Sequence, residues 1–90
     1  MLAIKSESAP TLAVGVMTMT FGQFEKVAEA LVSFDGPNID DYVFEAIRTL
    51  ATNVVTITFK KQQASSGTPT WGAAGNTDIA GVVTVIADGY

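Results

Sequence analysis

The stretch Val54–Lys60, VVTITFK, constrains the fold more than any other part of the chain. Val55, Ile57 and Phe59 fall on one side of an extended chain, and Val54, Thr56, Thr58 and Lys60 on the other. A period of two with β-branched residues is the pattern of a strand with one face in a core and one face in water. A helix would mix the two sets around its circumference. Val82–Ala87, VVTVIA, opened by Gly81, repeats the pattern near the end of the chain. Thr11–Phe21, TLAVGVMTMTF, supplies a third strand, starting after Pro10, with apolar residues on both faces.

Two segments admit two readings. In Phe24–Phe34 a helix would align Phe24, Val27, Ala28, Leu31 and Val32 in one stripe. A strand would set Ala28, Ala30, Val32 and Phe34 against Glu25, Val27, Glu29 and Leu31. Local propensity favours the helix. Asp35-Gly36-Pro37-Asn38 is a dense turn signal. After it, Ile39–Thr52 can be a helix capped by Asn38 that buries Ile39, Val43, Ile47 and Leu50. As a strand it would put Tyr42, Phe44 and Ala46 on one face. Gln62–Thr77, rich in Gly, Ser, Thr, Ala and Pro around Trp71, reads as a surface loop.

Ninety residues make a single domain, 1–90, with no internal repeat and no linker. The chain is 48% hydrophobic and only 16% charged, which argues against disorder and suggests that partner subunits cover some apolar side chains. With no cysteine and no histidine there is no disulfide, and the usual zinc ligands are missing. The net charge of −4, with Lys60-Lys61 the one basic pair, points away from nucleic acid. The apolar runs are too short to span a membrane. Met1–Ser8, with Lys5 and Glu7 close together, is not read as a signal peptide.

No constellation for chemistry emerges. Serine hydrolysis has no histidine base, and there is no G-x-S-x-G segment. Asp35, Asp40, Asp41 and Glu45 crowd one stretch, but without the D-x-D-x-D-G pattern of a calcium loop they read as solvated turn and cap charges. Gly72, Gly75 and Gly81 lack the Lys and Ser/Thr of a phosphate loop. The expectation is a non-enzyme with no cofactor and no metal. Trp71 is the foremost candidate contact residue, either anchoring a loop or meeting a partner, and Tyr42 and Tyr90 carry the same two readings. Met17 and Met19 read as core fillers.

The order VVTITFKK, a Ser/Gly/Thr-rich loop with Pro69 and Trp71, then TDIAGVVTVIADG, preceded by GVMTMTFGQFEKVAEALVSF, resembles small virion proteins of tailed bacteriophages. The matching residues are Val27, the Val55-Thr56-Ile57 run, Lys60, and Val85-Ile86-Ala87 with Gly89. The resemblance covers most of the chain after Pro10. It rests on the order of individually common motifs, and Phe24–Phe34 and Ile39–Thr52 depart from it in being more helix-like. It implies a compact β-sandwich on the capsid or tail surface, usually oligomeric, with the major capsid protein or other virion subunits as partners. Tertiary context overrides propensity readily, and short helices are marginal in water. The expected fold is therefore all-β, an antiparallel β-sandwich, with the alternative an α+β fold holding one or two helices within residues 22–34 and 39–52. The expected role is capsid decoration. The alternative is a carbohydrate- or receptor-binding module of a tail or fibre, using Trp71 or Tyr42 beside Asn76 and Asp78.

Overall fold

The computed structural model describes residues 1–35, 42–63, 67 and 70–90. The fold is all-β. Its strands are β1 (Leu2–Ser8), β2 (Val16–Thr20), β3 (Val27–Phe34), β4 (Tyr42–Ala51), β5 (Val54–Gln63), β6 (Gly72–Ala73) and β7 (Val82–Gly89). They form two antiparallel sheets packed face to face. One has the order β1-β7-β3. The other has the order β2-β5-β4, with β6 also on β5. Pairings of β2 with Val54–Thr58 and of β6 with Lys60-Lys61 leave β2 and β6 end to end along one side of β5.

The two clearest strands of the sequence are the two central strands. Val55, Ile57 and Phe59 of β5, and Val83, Val85 and Ala87 of β7, are completely buried. Their period-two faces meet in the middle of the sandwich, and the flanking strands add Met17, Met19, Val27 and Ala30. Phe34 packs edge-on against Phe59 at 5.1 Å between ring centroids. Phe21 and Phe24 stack at 6.3 Å, closing the end of the core where β2 gives way to β3. Gly89 lets the Phe24 ring lie against β7, since a Cβ there would come within 2.7 Å of it. No polar or charged side chain is buried among the described residues.

The α+β alternative is overturned. Val27–Phe34 and Tyr42–Ala51 are strands, and each pairs along its length with the central strand of its sheet. The β3 ladder is interrupted once, by a bulge between Val27 and Glu29. The helical stripe through Phe24, Val27, Ala28, Leu31 and Val32 fails because only Phe24 and Val27 of that set are buried, whereas Ala28 and Leu31 are exposed. Burying one face against β5 and β7 outweighs a propensity difference of a few tenths of a kcal/mol per residue. Ile39, Asp40 and Asp41, also drawn into the helical reading, lie outside the described residues.

The expected strand Thr11–Phe21 is shorter at its start. Ala13 and Val16 exchange two backbone hydrogen bonds, 2.9 and 3.1 Å, across a turn at Val14-Gly15. Both turn residues have positive φ, 52° and 79°. That combination marks the type I′ turn, where Asn-Gly is the favoured pair. The turn explains why Leu12 is buried while Val14 is 83% exposed. Gly15 is required twice over: its φ is positive, and a Cβ would sit 2.7 Å from the Phe59 carbonyl. The loop expected over Gln62–Thr77 is also corrected at its start and within it, since β5 continues to Gln63 and β6 occupies Gly72–Ala73.

Val14 is a β-branched residue held in the left-handed region with nothing gained from burial. Val14→Asn is expected to raise stability by about 1 kcal/mol. Gly15→Ala is expected to lower it by about 1–3 kcal/mol. Urea unfolding of the two variants beside the parent checks both signs.

Candidate functional site

The three aromatic candidates do not converge. Tyr42 opens β4 opposite Gln63, the last residue of β5, and Trp71 immediately precedes β6, which pairs with Lys60-Lys61. Both therefore lie at one end of the second sheet. Tyr90 is at the other end of the sandwich. Its carbonyl accepts from the Glu25 and Lys26 N–H groups, and neighbouring Val27 donates to Thr52 in the β4–β5 hairpin. Trp71 is 43% exposed and Tyr90 70% exposed, so both are surface residues.

The Trp71–Tyr42 end is organised by an ion pair. Asp78 Oδ2 accepts from Lys61 Nζ at 2.8 Å and from the Gly75 N–H at 2.7 Å. The Asp78 N–H donates back to the Gly75 carbonyl at 3.2 Å, which closes the turn after β6. Lys61 also lies over the Tyr42 ring, 5.3 Å from its centroid, a cation–π contact. The hydrogen bond from Lys61 holds the Asp78 carboxyl below its usual value of 3.8; partial burial opposes the shift and the Gly75 N–H assists it. This cluster fastens the segment carrying Trp71 to the end of β5. It also commits the groups a sugar would need, since one oxygen of Asp78 is doubly hydrogen-bonded and the Tyr42 ring carries the Lys61 ammonium.

Of the acidic stretch, the two described residues lie on different sheets. Asp35 follows β3 in the first sheet, and Glu45 points outward from β4 beside Lys60 in the second. Asp40 and Asp41 lie outside the described residues. Among the described residues no group of three acidic side chains could hold a metal ion. The Lys60-Lys61 pair is split by the strand period, Lys60 on the outer face and Lys61 toward Asp78. A small hollow lined by Ala9, Pro10, Thr11, Thr77, Ile79 and Ala80 carries no charged side chain among the described residues.

What the sequence reading missed is the outer face of the first sheet. Ile4 pairs with Ile86, and Ile86 with Leu31, so the three side chains form one row across β1, β7 and β3. Leu2 stands next to it in the row with Asp88 and Glu29. Ile4 is 68% exposed, Leu31 67% and Leu2 71%. Row spacing is set by the separation of neighbouring strands, about 4.8 Å, so the three aliphatic groups span roughly 10 Å without a break. The signal was present in LAIKSES, where Leu2, Ile4, Ser6 and Ser8 alternate with Ala3, Lys5 and Glu7. Its polar second half, Lys5 to Ser8, breaks off the apolar alternation after Ile4.

No protein-family model, no curated protein and no solved structure matches the chain.

Asp78 yields a pH prediction. Because its folded pKa is depressed, its stabilising contribution is complete above the ordinary value of 3.8 and disappears as pH falls through the lower folded value. Asp78→Asn is expected to cost about 1–2 kcal/mol at neutral pH and to flatten the acid limb of the stability profile. Thermal unfolding of both proteins over an acid-to-neutral series measures the difference.

Proposed function

We propose that this protein is a structural virion protein, a capsid decoration protein that stabilises a phage head through contacts with neighbouring subunits and carries out no catalysis. The observation that carries the reading is the solvent-facing row Ile4–Ile86–Leu31 with Leu2 beside it. Contiguous apolar side chains on a small β-sandwich cost solubility unless a partner covers them. A row on a rigid sheet, with its side chains fixed by strand register, suits docking onto a large ordered surface. The strand order that resembles small phage virion proteins supports the same reading, and the net charge of −4 suits a shell with basic patches. The partner is then the major capsid protein or another virion subunit. Affinity would arise from apolar area multiplied over many copies.

The carbohydrate- or receptor-binding alternative places the contact at Trp71. The Lys61–Asp78 pair weighs against it, because it occupies the polar and aromatic neighbours that a sugar would use.

Sedimentation of purified protein with phage heads separates the two. Leu31→Lys is expected to weaken head binding at least about tenfold, since it places a charge within the apolar row. Trp71→Ala is expected to leave head binding unchanged. Failure of the parent protein to sediment with heads, together with its absence from virions by mass spectrometry, would overturn the proposal. Glycan binding lost in Trp71→Ala would establish the alternative.

A further inference from the structure

We infer that β1 is a self-complementary edge through which two copies of this chain join into one continuous sheet. The inference is independent of the virion reading, because it uses the backbone edge of β1 and not the apolar face of the sheet. In the order β1-β7-β3, β1 has, among the described residues, a hydrogen-bonded neighbour on one side only. The ladder fixes which backbone groups are left over. Gly89 N–H donates to the Met1 carbonyl, and Ala9 N–H donates to the Gly81 carbonyl. Bonded pairs alternate along an antiparallel ladder, so the odd-numbered residues of β1 bond to β7. Leu2, Ile4, Ser6 and Ser8 therefore present their N–H and C=O groups to the open side. Unlike many natural edges, Leu2–Ser8 contains no proline and no bulge to block addition of a strand.

Charge selects both the occupant and its register. An antiparallel strand from a second copy must place even-numbered residues opposite even-numbered residues if the free groups are to bond. Centring the pair on Lys5 would satisfy the backbone but set Lys5 against Lys5 of the other copy. Centring it on Ile4 would set Lys5 opposite Ala3, with no carboxylate to meet it. Centring it on Ser6 sets Ser6 opposite Ser6, Ile4 opposite Ser8, and Lys5 opposite Glu7 twice over, once on each side of the two-fold axis. Lys5 and Glu7 then fall at the non-hydrogen-bonded positions, where cross-strand side chains approach most closely. Both side chains are exposed at the edge. Within its own chain Lys5 Nζ donates to the Thr20 carbonyl at 2.5 Å, and the ammonium has further donors for a carboxylate. The positive φ of Ala9, 45°, turns the chain after Ser8 and limits the pairing to the segment Ile4–Ser8. The two three-stranded sheets become one sheet of about six strands, a size common in natural sheets.

Sedimentation equilibrium of the purified full chain over a concentration series tests the inference. The parent is expected to dimerise. Ser6→Pro removes an N–H that points away from β7 and gives up only the exposed 3.0 Å contact of its hydroxyl with that of Thr84 on β7, so it is expected to give a monomer whose thermal unfolding stays close to that of the parent. Lys5→Glu and Glu7→Lys are each expected to weaken the dimer at least about tenfold, by setting like charges opposite one another. The double variant Lys5→Glu with Glu7→Lys is expected to recover it, because the exchange preserves complementarity. A parent that is monomeric throughout would overturn the inference. So would a dimer indifferent to Ser6→Pro and to the single reversals, which would place the contact on another surface, the Ile4–Ile86–Leu31 row foremost.

Discussion

Everything in this fold depends on the meeting of two strand faces, Val55-Ile57-Phe59 on β5 and Val83-Val85-Ala87 on β7. Each is the inner face of the central strand of its sheet, so every other long strand finds its place by pairing with one of the two. Because side chains alternate strictly, a slip of one residue in either strand would turn its threonines inward and its aliphatic groups outward. The core therefore specifies register as well as cohesion. Phe59 shows the coupling: it packs against Phe34 of the opposite sheet, while its backbone carbonyl accepts from Ala74 and its N–H donates to Gly15. One residue thus joins the core, the tight turn before β2 and the end of β6.

The flanks of the sandwich are held differently. On one, Arg48 of β4 meets Glu29 of β3; on the other, Lys5 of β1 bonds the Thr20 carbonyl of β2 and lies 5.9 Å from the centre of the Phe21 ring. These exposed contacts add little stability individually. Their long stems cover apolar edges that a small sandwich cannot otherwise close. The inward-pointing Lys5 is also the kind of edge charge that discourages indiscriminate strand addition.

The two central strands were legible in the sequence because both have a dry face and a wet face. The all-β class followed from them and from the resemblance to small phage proteins. Phe24–Phe34 and Ile39–Thr52 were not legible from local propensity, because Ala, Glu, Leu and Arg suit a helix, and only the faces offered by β5 and β7 decide for the strand. The Val14-Gly15 turn was hidden because valine is the wrong residue for it. The surface was least legible. Trp71, Tyr42 and Tyr90 were selected by residue type, yet the sheets carry Tyr90 to one end and the other two to the opposite end. The Ile4–Ile86–Leu31 row joins three segments distant in the sequence, and no single one of them announces it.

The central strand of the first sheet, β7, follows all the others in chain order. As the chain leaves the ribosome, β1 and β3 emerge long before the strand that lies between them. The second sheet can assemble around the β4–β5 hairpin while those two remain without partners. The first sheet closes only when Val82–Gly89 is available to pair on both sides, with β1 and with β3. Such long-range closure is intrinsically slow, and the waiting strands are the species most exposed to unwanted association. Strand order and chain order together therefore make β1 and β3 the segments that wait longest for a partner during folding.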